Sequence, residues 1–156
     1  SRVTGACSSV TRPCGRAIVA RYGMNPPSTM LASTWVALGG AIGTAMRYGV
    51  SVGMLRWLGP TFPWGTLTVN LTGCLLIGFA LRYLEAVRLA PEVRALVAVG
   101  VLGAFTTFST FGYETVALLE DGAWGRAAAY ALGSVVVGIA AVYAGIALST
   151  YVLQAR

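Results

Sequence analysis

Long apolar stretches divided by short polar turns set the pattern of this chain. They run from Leu31 to Leu58, Trp64 to Glu85, Glu92 to Leu119 and Trp124 to Tyr151. None shows the two-residue alternation of a half-buried strand. Each exceeds the roughly 20 residues a helix needs to cross about 30 Å of hydrocarbon. The pattern predicts an all-α integral membrane protein with four transmembrane helices. Gly59-Pro60-Thr61-Phe62-Pro63, Ala86-Val87-Arg88-Leu89-Ala90-Pro91 and Glu120-Asp121-Gly122 form the turns between them. Asn25-Pro26-Pro27-Ser28 is the break before the first.

Polar residues inside these stretches carry the candidate chemistry. In the third, a glycine-bearing run from Gly100 to Phe105 leads into Thr106-Thr107-Phe108-Ser109-Thr110-Phe111, with four hydroxyls in six residues. In lipid each hydroxyl needs a partner. Two readings stand. The helix is intact and its hydroxyls bond back to preceding carbonyls, or it is broken and lines a cavity. Carbonyls freed by a break can hold a cation. Phe108 and Phe111 share a helical face, for packing or for presenting electropositive ring edges to a small anion.

The other stretches add fewer such residues. Asn70 is the strongly polar residue of the second, suited to an interhelical hydrogen bond or to donating its NH2 to an anion. Tyr130, Ser134 and Gly138 form one stripe on the fourth. With Ser109 and Thr110 they make either a helix-pairing surface or a track of hydroxyl donors. In the first, Gly39/Gly43 and Gly49/Gly53 have the spacing that lets helices approach closely. Arg47 lies well inside that stretch and needs a carboxylate, a carbonyl, water or the interface.

Composition narrows the function. The 156 residues are 56% hydrophobic and 10% charged, against about 25% charged in soluble domains, and mean hydropathy is +0.73. All eleven basic residues are arginine, and histidine is absent, which excludes histidine catalysis and histidine metal ligation. Arg2, Arg12, Arg16 and Arg21 fall in a basic segment, residues 1–29, read as a disordered tail, with a transit-type leader as the alternative. Most other arginines flank the stretches, so the net charge of +6 points to membrane flanks rather than nucleic acid. Cys7, Cys14 and Cys74 show no metal-ligand spacing. Glu114 is the one acid well inside a stretch, where a proton-coupled antiporter needs its carboxylate. It has no second carboxylate to pair with, so an enzyme reading lacks its parts. With the tail set aside, Arg82, Arg88, Arg94 and Arg156 face Arg56 and Arg126 across the membrane, joined by Arg47 if it snorkels. So weak a bias permits insertion in both orientations.

Three motifs together bring a resemblance. Gly39-Gly40-xx-Gly43-xxx-Arg47-Tyr48, Gly65-Thr66-Leu67-xx-Asn70-Leu71-xx-Cys74 and Gly103-xx-Thr106-Thr107-Phe108-Ser109-Thr110-Phe111-xx-Glu114 resemble, in order, the Fluc (CrcB) family of fluoride channels. The resemblance runs from about residue 38 to 151 and leaves out the first thirty. It implies that residues 30–156 form a four-helix channel domain with a broken third helix, in a cell (inner or plasma) membrane. It implies an antiparallel, dual-topology homodimer with two pores, exporting fluoride passively and lowering cytoplasmic fluoride. It implies a structural Na+ at the dimer centre, on backbone carbonyls of Gly103 and Thr106. Asn70, Phe108 and Phe111 match the ion path, and Ser109, Thr110, Tyr130 and Ser134 match its polar track. Gly43, Arg47 and Glu114 are assigned interface or structural roles. A small dual-topology multidrug-type proton antiporter is the alternative.

Overall fold

The computed structural model describes residues 29–155, with side chains from Ser33 onward. The basic tail expected over residues 1–29 lies outside the described residues except for Thr29, which opens the first helix. The elements are α1 (Thr29–Leu58), α2 (Trp64–Ala86), α3 (Pro91–Arg94), a π-helical run (Ala95–Leu102), α4 (Gly103–Phe105), α5 (Phe108–Glu120) and α6 (Trp124–Gln154). No strand occurs among the described residues. Element ends follow local chemistry. Pro91 occupies the first turn of α3, where its missing N–H costs nothing. Gly59 and Gly122 take positive φ values of 77° and 70° in the turns after α1 and α5, a conformation glycine adopts without penalty.

Three segments are long and apolar enough to cross a membrane: Trp64–Ala86, Pro91–Glu120 and Trp124–Gln154. The protein is therefore a multi-pass membrane protein. α1 is 30 residues long but is not among the three, because glycines, hydroxyls and Arg47 dilute its apolar character.

Two close crossings organise the helices. α2 packs along α6, and α1 packs on the π-helical run. Glycine makes both possible. A Cβ on Gly39 would lie 2.6 Å from the Leu96 carbonyl oxygen, and one on Gly43 would collide with the Val101 carbonyl and approach Phe105 N to 3.0 Å. From the other side, a Cβ on Gly100 would come within 3.0 Å of Gly39 Cα. Gly78 and Gly145 likewise set α2 and α6 backbone to backbone. Gly49 and Gly53 meet nothing within 4 Å, so of the two glycine pairs only the first packs within this chain. Val69, Tyr130 and Ser149 are fully enclosed, at 0% exposure.

The π-helical run has no sequence signal. Ala95-Leu96-Val97-Ala98-Val99-Gly100-Val101-Leu102 reads as an ordinary apolar helix. Its i→i+5 bonding widens the turn just before the polar cluster, and such turns are rare and concentrate at functional sites.

Gly43→Val is expected to destabilise the protein by about 1–3 kcal/mol through overpacking, read as a lower melting temperature in detergent. Gly40→Ala, at a position facing open space, is expected to leave the melting temperature unchanged or slightly raised.

Candidate functional site

Two extended residues separate α4 from α5. Thr106 has φ −81° and ψ 158°, and Thr107 has φ −149° and ψ 118°. Thr106 still bonds backwards: its N–H and its Oγ1 each donate to the Leu102 carbonyl at 3.1 Å. Thr107 does not. Its N–H donates to Asn70 Oδ1 at 2.8 Å, and Asn70 Nδ2 donates to the Thr107 carbonyl at 3.0 Å. One side-chain amide on α2 thus takes over both backbone groups of the residue leaving the helical ladder. Unpaired, each would cost about 1–3 kcal/mol. The Thr107 hydroxyl then starts the next helix. It accepts from Thr110 N–H at 3.4 Å and lies 2.9 Å from Thr110 Oγ1 and 3.4 Å from Ser109 Oγ, a serviceable N-cap. Thr106 thus bonds back as one reading expected, while Thr107 serves as a cap.

A cleft of about 290 Å³ opens beside this stretch, lined by Asn70, Cys74, Thr107, Phe108, Phe111 and Ser134 among others, with Gly103 and Thr106 on its wall. Gly73 leaves room for the Thr106 methyl. Ser134 Oγ is buried with no hydrogen-bond partner among the described residues. Phe108 and Phe111 lie 5.5 Å apart between centroids at 38°, and Phe111 lies 5.1 Å from Tyr130. Phe108 is 83% exposed in the single chain.

A second cavity of about 420 Å³ is lined by Ser51, Thr61, Thr66, Thr110, Glu114 and Asp121 with apolar neighbours. The Glu114 carboxylate is held from two sides. Thr66 Oγ1 donates to Oε1 at 2.9 Å and the Tyr130 hydroxyl to Oε2 at 2.7 Å.

The residues singled out in the sequence divide between these places. Asn70, Phe108, Phe111, Ser134, Gly103 and Thr106 share the first cleft. Thr110 and Glu114 share the second cavity. Tyr130 lines neither, and its hydroxyl belongs to Glu114. Ser109 is exposed and touches only Thr107 Oγ1 among polar side chains. Gly43 seats α1, and Arg47 is half-buried on α1. Thr66 and Cys74 stood in a motif without a place in the site, and the capping role of Thr107 escaped the sequence reading. Thr66, Asn70 and Cys74 fall at i, i+4 and i+8, a stripe that would have found the first two. Among the described residues no cluster of three or more Cys, Asp or Glu exists to hold a metal.

Fold and site define a multi-pass helical membrane protein with a cleft built from an amide, hydroxyls and phenyl rings. Residues 34–146 match the family described as CrcB-like protein, Camphor Resistance (CrcB). The chain belongs to the CrcB family. It is 54% identical over 115 residues to a fluoride-specific ion channel FluC of Agrobacterium fabrum, covering 72% of this chain and 91% of that protein. It is 52% identical over 114 residues to one of Magnetococcus marinus, covering 72% and 92%. It is 49% identical over 110 residues to one of Thermus thermophilus, covering 70% and 87%.

Asn70→Leu keeps the branched side-chain shape and strands both Thr107 backbone groups. Hydrogen exchange at the Thr107 and Thr110 amides is expected to rise about tenfold or more, the equivalent of about 1.4 kcal/mol, while α6 is unchanged. Unchanged exchange at Thr107 would show that the amide does not hold the stretch.

Proposed function

We propose that the protein is a fluoride-selective channel that exports F− passively and so lowers cytoplasmic fluoride. The observation that carries this reading is the donor set of the first cleft. Asn70 Nδ2 has two N–H groups and spends one on Thr107. The Ser134 hydroxyl has no partner among the described residues, and phenyl edges complete the wall. Fluoride is small and tightly hydrated, so it needs several donors at once. Neutral donors supply them without the deep electrostatic well of a buried ammonium, and conduction needs binding weak enough to leave. A negative-inside potential favours anion exit by about 2.3 kcal/mol per charge per 100 mV. The relatives are named as ion channels, a non-enzymatic activity. The antiporter alternative finds no support among them, and Glu114 is tied down by Thr66 and Tyr130.

The finer architecture belongs to the same reading. α1 is the fourth span, since its 30 residues reach about 45 Å as a helix. The third span is a broken helix, parted at Thr106–Thr107. Gly103, Phe108, Ser109 and Thr110 form an uncovered face at this break, suited to a second copy inserted antiparallel, with two pores per homodimer in the cell membrane. Because Thr107 N–H is given to Asn70, the Gly103 carbonyl lacks the donor that an unbroken helix would provide. Hard carbonyl oxygens of Gly103 and Thr106 fit a sodium ion, which would supply a fixed positive charge tying two breaks together. Asn70, Phe108, Phe111 and Ser134 line the fluoride path, and Ser109, Thr110 and Tyr130 extend its polar track.

Reconstituted protein is expected to release fluoride from liposomes, followed with a fluoride electrode, and to retain chloride. Equal release of both anions would refute selectivity. Phe108→Ile and Asn70→Asp are each expected to slow fluoride release about tenfold or more, about 1.4 kcal/mol in barrier, with dimer mass unchanged. Replacing Na+ throughout by a large organic cation is expected to abolish flux and weaken the dimer.

A further inference from the structure

A third groove, of about 460 Å³, lies between α2 and α6, meeting the first cleft at Ile77 and lying away from Glu114. Its floor is apolar, with Ile77, Gly78, Val142 and Ile146, and its mouth carries Arg82, Glu85 and Thr150. Val142, Ile146 and Thr150 recur every fourth residue on one face of α6. Gly78, Arg82 and Glu85 ascend α2 in the same direction. Polarity therefore rises from the membrane interior toward the ends of both helices, at Ala86 and Gln154.

The charges at the mouth are of opposite sign. The Arg82 and Glu85 side chains are exposed, and among the described residues they are not paired with each other. Both helices also end here, so their C-terminal carbonyls add partial negative charge. Thr150 spends its hydroxyl on the Ile146 carbonyl at 2.9 Å. A ligand complementary to this groove has a long apolar chain, a phosphate for Arg82, and a hydrogen-bonding cation for Glu85 and the helix ends.

We infer that this groove binds a zwitterionic glycerophospholipid with a primary ammonium headgroup, a phosphatidylethanolamine, from the surrounding bilayer. The guanidinium donates to the phosphate, and the ammonium donates to Glu85. One acyl chain lies along Ile77, Gly78 and Ile146. A choline headgroup has no N–H to give to Glu85, and a glycerol headgroup brings no positive charge, so headgroup chemistry discriminates. The headgroup end of the site, at Arg82 and Glu85, lies apart from the fluoride path and makes no demand on that function.

The test is native mass spectrometry of the intact protein released from micelles doped with phosphatidylethanolamine, phosphatidylcholine or phosphatidylglycerol of identical acyl chains. Retention of phosphatidylethanolamine is expected to exceed that of the other two about fivefold. Glu85→Gln is expected to erase the preference over phosphatidylcholine, Arg82→Gln to lower retention of all three, and Arg56→Gln, at the opposite end, to change nothing. Ile146→Trp, which fills the floor, is expected to lose retention while fluoride release persists, showing that the variant is folded. Equal retention of the three lipids, or a preference surviving Glu85→Gln, would overturn the inference. So would the absence of any bound lipid, which would leave the groove to a second copy of the chain.

Discussion

The paired hydrogen bonds between the Asn70 amide and the Thr107 backbone are the interaction on which the rest depends. A residue that leaves a helix inside a membrane exposes an N–H and a C=O that lipid cannot satisfy. Asn70 satisfies both, at 2.8 and 3.0 Å. Thr107 is thereby free to turn its hydroxyl forward as the cap of α5. The start of α5 in turn places Phe108 and Phe111 beside the cleft. Remove the amide, and both backbone groups of Thr107 lose their partner.

Other features support this arrangement from behind. Gly39 and Gly43 bring α1 against the π-helical run, so the wide turn before the extended residues is backed by another backbone. Gly73 accommodates the Thr106 methyl, which holds the first extended residue in place. On the far side, Tyr130 is fully buried between Phe62 and Phe111 and bonded to Glu114. The carboxylate is thus a fixed acceptor for hydroxyls, and the donors left over face the cleft.

Much of this was legible in the chain. The four apolar stretches mark the helices closely, although α6 runs on to Gln154 where Tyr151 was expected. The cluster of hydroxyls from Thr106 to Thr110 marked the irregular stretch, because lipid makes hydroxyls expensive. Partnership was not legible. Nothing in sequence separates an Asn70 that bonds a neighbouring helix from one that donates to an ion, and its two amide hydrogens allow both. Tyr130 looked like a member of a track with Ser134, yet its hydroxyl is drawn to Glu114, a contact across 16 residues that spacing cannot show. The π-helical run was invisible because bonding to the fifth residue rather than the fourth leaves no mark in a run of apolar residues.

We propose that neutral donors beside an extended membrane backbone select fluoride. Current through the reconstituted protein in a planar bilayer, with fluoride at different concentrations on the two sides and chloride varied on one, is the decisive measurement. A zero-current voltage set by the fluoride gradient alone and indifferent to chloride concentration is expected. A zero-current voltage that follows chloride would contradict it.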